Sequence, residues 1–204
     1  MPQLDAIMNL ASTRFLVDRL QAPALAPLVV YLHRELPSAW AFTGSVAMNI
    51  HAAHLDGRKV RDFQDADVQI DDTAFDSFER KQMHAHGDSL FTRPLADGSC
   101  DAHYRFNGMP IDFVRNKRGT PPGLSEQETI ADIPVLSLAA LKRRKKMDRD
   151  QCLDTARAAK AKNDVVLLDA LIERRQEAQV AGSVATVNVS PAVHGDKRER
   201  EDTA

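Results

Sequence analysis

Cysteine is nearly absent: the 204 residues hold only Cys100 and Cys152. They stand in unrelated contexts and lack the short spacing of metal-ligand pairs. One bridge between them is the only disulfide the chain allows, and two isolated thiols suit a reducing compartment. Aromatic residues are scarce at 5 %, so aliphatic side chains must fill most of the core. A dominant charge is missing too. The 27 Lys and Arg nearly balance 29 Asp and Glu, a net charge of -2, so no global field steers the chain toward nucleic acid or membrane. No apolar run approaches the roughly 20 residues of a membrane span. The opening MPQLDAIMNLASTRFLVDRL is amphipathic and carries acids, so no signal peptide is expected and the expected location is cytoplasmic. What is present is ordinary: 43 % hydrophobic and 27 % charged residues support a packed core. The length suits one domain with a small helical annex.

Helical spacing of Leu4, Ile7, Met8, Ala11, Phe15 and Leu16 predicts an amphipathic helix at the start. A second helical segment, APLVVYLHREL, ends before Pro37. AWAFTG reads as a buried strand stopped by a glycine, and SVAMNIHAAHL as a helix capped by Ser45. Residues 56–64 read as a loop, DADVQI as an alternating strand, and residues 76–83 as a helix. SLFTRPL, CDAHYRFNG and MPIDFVRN predict three further strands, with Asn107-Gly108 as the hairpin turn between the last two. TPPGLSEQE reads as a loop and IPVLS as a brief extended piece. Residues 137–180 are strongly helical. The stretch 182–204 has little amphipathic pattern and is expected to be a disordered tail.

Three features fall in a telling order. Gly44 and Ser45 sit at a strand-to-helix turn, where glycine lets backbone approach a phosphate and the helix N-terminus offers unpaired N–H groups. Asp65 and Asp67 are two residues apart and lie on one face of a strand, because side chains alternate with period two. Paired carboxylates repel unless a cation lies between them, which suits a hard divalent metal. Asp112 lies among apolar neighbours on another strand, and on the same face it would complete a three-carboxylate site for two metals. Such a site clamps both oxygens of an in-line phosphoryl displacement.

A hydrophobic strand ending in Gly-Ser, an Asp-x-Asp strand and a later Asp together resemble the DNA polymerase beta-like nucleotidyltransferase superfamily. Here they read FTGSVAMNI, DADVQI and GMPIDFV, over roughly residues 40–115. The long interval between the first two looks most like the AbiEii-type toxin nucleotidyltransferases. Arg61 resembles the basic residue that precedes their acidic pair. IPVLSLAALKRRKK resembles the start of their C-terminal part, with Leu138, Leu141 and Lys145 as the closest matches. Two departures stand out: Phe63 occupies a position where Ser or Thr is frequent, and RDQCLD has Gln151 and Cys152 where Lys-Asp is common, beside Arg149 and Asp154.

The resemblance implies an α+β fold, a mixed sheet flanked by helices with a C-terminal helical part. Residues 1–136 would form the catalytic domain with its N-terminal helices, and 137–181 the helical part. It implies transfer of NMP from an NTP to a hydroxyl, with Gly44, Ser45, Arg61, Lys142 and Lys145 binding the nucleotide. Asp65, Asp67 and Asp112 would be catalytic and hold magnesium, or manganese in its place. The implied acceptor is a tRNA, a protein or a small molecule such as an aminoglycoside, and a toxin would have an antitoxin partner. The other readings are a silent nucleotide- or RNA-binding domain using the basic helix, and a bacterial effector on the same fold.

In the run KRRKK, helical spacing puts Lys142, Lys145 and Lys146 on one face and Arg143 and Arg144 elsewhere. His51 and His54 are three apart on a helix, but no further ligands accompany them and zinc is not expected. His84 and His86 read as surface loop, and His103 has no metal spacing.

Overall fold

The computed structural model describes residues 10–37, 39–84, 91–92, 102–116, 123–151 and 154–187. A helical turn over Ala11–Arg14 (α1) continues as a wider π-type turn through Phe15–Arg19, and α2 spans Leu25–Glu35. Leu16, Leu25, Leu28 and Leu32 bury the shared face of these helices completely. Leu4, Ile7 and Met8, part of the expected first helix, lie outside the described residues.

Strand β1 (Trp40–Phe42) is buried throughout and leads into α3 (Gly44–Asp56). From Val46 to Ala53 every residue of α3 is buried, and its small Ala47, Ala52 and Ala53 let sheet and helices approach from several sides. Gly57 stops it in the left-handed conformation, φ 72°, with its N–H on the Ala53 carbonyl. After the expected loop come β2 (Ala66–Asp71) and α4 (Asp72–His84), the latter longer than its apolar pattern indicates. Strands β3 (Phe91–Thr92), β4 (Ala102–Phe106) and β5 (Met109–Asn116) follow. Asn107 and Gly108 both take positive φ, 48° and 85°, the twisted turn that an Asn-Gly pair favours.

A short 3-10 turn, Leu124–Glu126, precedes β6 (Gln127–Ile130) and β7 (Ile133–Leu136). Strand β6 corrects the reading of that stretch as loop only; its sequence Gln-Glu-Thr-Ile, on a sheet edge, is too polar to signal a strand. Helices α5 (Leu138–Gln151) and α6 (Thr155–Val187) close the chain. Helix α6 runs six residues into the stretch read as tail; residues 188–204 lie outside the described ones, as do Cys100, Cys152 and His86.

The seven strands form one mixed sheet in the order β3-β4-β5-β2-β1-β7-β6. β1 is antiparallel to β2 and parallel to β7, while β2 and β5 are parallel. This is the α+β class expected, a mixed sheet flanked by helices. The few aromatics are concentrated rather than spread. Phe78 packs on Phe113 with ring centroids 4.9 Å apart, and Tyr104 on Phe113 at 5.7 Å, so one face of β4 and β5 is filled by rings from α4. No helix of the described residues is long and apolar enough to cross a membrane.

Candidate active site

The central strands bring the start of α3 to the acidic residues. Because β1 runs antiparallel to β2, its end at Phe42 lies opposite Val68, and the Thr43 N–H reaches the Asp67 carbonyl at 2.9 Å. Gly44 then turns the chain into α3 with φ 57°, a left-handed conformation that side chains resist. A Cβ on Gly44 would stand 2.8 Å from Cγ of Asp67 and closer still to its Oδ2. The Asp67 carboxylate therefore occupies the space that any side chain at 44 would need. Thr43, in an extended conformation, is the residue that caps α3, without a side-chain bond. Ser45 is already inside the helix, which corrects its assignment as the cap.

Asp67 and Asp112 are register partners on the parallel strands β2 and β5. Partners in register point to the same face, and both line one cavity of about 250 Å³ beside Gly44. Asp65 is placed differently. The strand ladder begins at Ala66, and Asp65 stands exposed in the bend just before it. It is near enough to act electrostatically: burial first, then Asp65, and then Asp112 hold the Asp67 carboxyl above the usual carboxylate range, while Lys145 opposes them. His103 is the antiparallel register partner of Asp112 on β4.

The far wall of the cavity is helix α5, which contributes Leu141, Arg144, Lys145 and Asp148, with Arg157 from α6. The spacing i, i+3, i+4, i+7 marks one helix face. It is shifted from the face formed by Lys142, Lys145 and Lys146. Lys142 is instead paired with Asp169 of α6 and stands outside this cavity, and Arg143 pairs with Glu126. Arg144, expected to point elsewhere, lines the site. Neither Arg144 nor Arg157 has an acidic partner among the described residues.

Arg61 does not line the cavity. Its guanidinium pairs with Asp164 of α6 and donates to Ser45 Oγ at 2.8 Å. Asp164 is only 2 % exposed and also faces Lys145 at 3.3 Å. One buried carboxylate thus ties the loop before β2, the start of α3 and the basic face of α5. Asn49, fully buried on α3, holds the loop itself: its Oδ1 accepts from the Val60 and Arg61 N–H groups, and its Nδ2 donates to the Arg61 carbonyl. The acids of RDQCLD, Asp150 and Asp154, are engaged elsewhere. There Arg149 pairs with its neighbour Asp150, and Asp154 caps α6 by accepting from the Ala156 and Arg157 N–H groups.

His51 and His54 form no metal pair. His51 is buried, its Nε2 donates to the Leu136 carbonyl at 2.9 Å, and burial holds its pKa below the usual value, so the ring is neutral. Among the described residues no three His, Cys, Asp or Glu side chains close on a common point tightly enough to hold an ion.

No family model matches this sequence, and no curated protein matches it. Solved structures do match. The solution structure of the antibiotic-resistance factor ANT(2'')-Ia is 11 % identical over 79 % of this chain and 97 % of its own, with a TM-score of 0.44. The Megavirus polyadenylate synthase is 13 % identical over 80 % of this chain and 35 % of its own, at 0.45. ANT(2")-Ia in complex with adenylyl-2"-tobramycin is 14 % identical over 73 % of this chain and 99 % of its own, at 0.38.

Proposed function

We propose that this chain is a nucleotidyltransferase that moves NMP from an NTP to an acceptor hydroxyl. The observation that carries the reading is the contact of the Asp67 carboxylate with the glycine that opens α3, with Asp112 in register beside it and Arg144, Lys145 and Arg157 across the cavity. Acids at one wall and cations at the other suit a triphosphate. The start of α3 and the three cations take its phosphate oxygens. In the transfer, a bond forms between the acceptor oxygen and the α-phosphorus while the bond to the β-phosphate oxygen breaks. Pyrophosphate leaves, and Asp112 takes or orients the proton of the acceptor hydroxyl. Asp164 holds Arg61 and Lys145 in place and takes no part in bond making.

The acid cluster also suits magnesium, with manganese as its substitute. The donors are all oxygen, and the pKa of Asp67 is raised first by burial and then by repulsion from Asp65 and Asp112, which a cation would offset. Magnesium ions are commonly held by one or two carboxylates plus substrate phosphates, so Asp67 and Asp112 suffice on the protein side and need no third ligand converging beforehand. When bound, the ions stabilise charge developing on the attacking and leaving oxygens.

Residues 1–136 carry the acids and 137–181 the three cations of the cavity, so we assign catalysis to the two parts together. The proposed toxin role and antitoxin partner have no support in this geometry beyond the resemblance in sequence. The test is incubation of the purified chain with each labelled NTP and magnesium, with and without total tRNA, alongside Asp67→Ala and Asp65→Ala. Expected is label transfer lowered by at least ~10²-fold in Asp67→Ala and by clearly less in Asp65→Ala, since Asp65 lies outside the ladder. If no NTP is consumed, the chain is a binding module on this scaffold.

A further inference from the structure

A second cavity, of about 430 Å³, opens where the acidic strands begin. Phe63, Met109 and Pro110 form its apolar part; Gln21, Gln64 and Lys59 bring polar groups to it. Its position is set by the same ladder as the candidate active site. Ile111 pairs with Ala66, so Pro110 and Asp65 flank the start of the β2–β5 pairing, one step from Asp67 and Asp112. Phe63 stands two residues before Asp65 and is half-buried. Pro110, which lines this cavity, is thus two residues from Asp112, which lines the other.

Three properties narrow the occupant. None of the described residues lining the cavity is acidic, so nothing there neutralises a polyamine. A half-buried aromatic ring beside apolar side chains suits a flat ring. Two primary amides, each both donor and acceptor, suit a ring with several hydrogen-bonding groups along its edge, which a nucleobase has and a plain hydrocarbon ring lacks. Gln21 is moreover held at φ 53°, a left-handed strain for a residue with a side chain. Lys59, paired with Asp62 at 2.8 Å, and the exposed Arg58 next to it place cations in the loop beside the cavity.

We propose that this cavity is the acceptor subsite and that it takes the terminal base of a single-stranded nucleic acid, with Phe63 as its stacking platform and Gln64 and Gln21 reading the base edge. The acceptor role rests on the transferase reading; the base-binding role does not. Phosphates of the strand lie along Arg58 and Lys59, and the terminal sugar hydroxyl reaches toward Asp112.

The test is anisotropy of a labelled single-stranded RNA 12-mer titrated with the full chain, without NTP or metal, competed by adenosine or by kanamycin. Phe63→Leu keeps the apolar packing and removes the ring face, and Gln64→Ala changes an exposed side chain. Each is expected to weaken RNA binding at least fivefold while the shift of melting temperature by ATP and magnesium stays within error of wild type. Unchanged RNA binding in both variants would overturn the subsite, as would kanamycin competing better than unlabelled RNA. Adenosine competing as well as the strand would overturn the polymeric acceptor. Transfer by a wild-type chain whose variants bind RNA normally would sink this inference alone. RNA binding through Phe63 without any NTP turnover would sink the transferase reading alone.

Discussion

Replacing Gly44 by alanine would add a Cβ into the Asp67 carboxylate and force a side chain onto a left-handed backbone. The variant can fold only by moving the carboxylate or the helix start. A loss of label transfer as large as that of Asp67→Ala is expected, with unfolding free energy lowered by the ~1–2 kcal/mol that left-handed backbone costs, read in denaturant unfolding. Asp67 makes a separate expectation. Its folded pKa lies above the ordinary aspartate value of 3.8, so the native state binds the proton more tightly than the unfolded chain. The stability this contributes is present below about pH 3.8 and is lost as pH rises through the folded pKa. At neutral pH the ionised carboxylate therefore costs stability in metal-free protein. Asp67→Asn should melt higher than wild type in EDTA at pH 7, the gap closing in acid, and should lose any stabilisation by magnesium. A variant that melts lower at pH 7 would show that the carboxylate is satisfied without a cation.

At the scale of elements, the loop before β2 is held by hydrogen bonds to one side chain. Asn49→Ala removes three of them and leaves the Val60 and Arg61 N–H groups without their acceptor. A loss of about 2–4 kcal/mol is expected in denaturant unfolding, with Arg61 no longer delivered to Ser45. Much of this scaffold was legible beforehand. The Gly-Ser turn, the β2 and β5 strands and the Asn107-Gly108 hairpin each follow from local chemistry: a glycine at positive φ, alternation, a turn pair. The basic face of α5 was not legible. Successive residues on a helix differ by about 100°, so five consecutive basic residues leave its phase open. Only packing against β5 and α6 decides that Arg144 and Lys145 face the cavity and Lys142 meets Asp169. Asn49 and Asp164 were hidden for a related reason: each partner lies across the fold, 12 and 103 residues away, and no local pattern records it. Strand β6 escaped because an edge strand faces water and is free of the apolar alternation that marks a central one.

Across the whole molecule, the candidate site is divided between the sheet and the last two helices. Asp164→Ala leaves Arg61 and Lys145 without their shared buried acid and, as one half of a buried pair, should cost about 3–5 kcal/mol. Asp164→Asn keeps the shape, and its melting curve separates lost charge from lost packing. If the acid acts by positioning, Asp164→Asn raises KM for NTP more than it lowers kcat; an equal fall in kcat alone would give Asp164 a direct part in the chemistry. The distance in sequence between Arg61 and Asp164 has a consequence in time. A ribosome adding about 5–20 residues per second makes Arg61 roughly 5–20 s before the carboxylate that anchors it. Until α6 docks, a nascent or truncated chain holds an unfinished site, so activity is expected only from chains synthesised past Asp164.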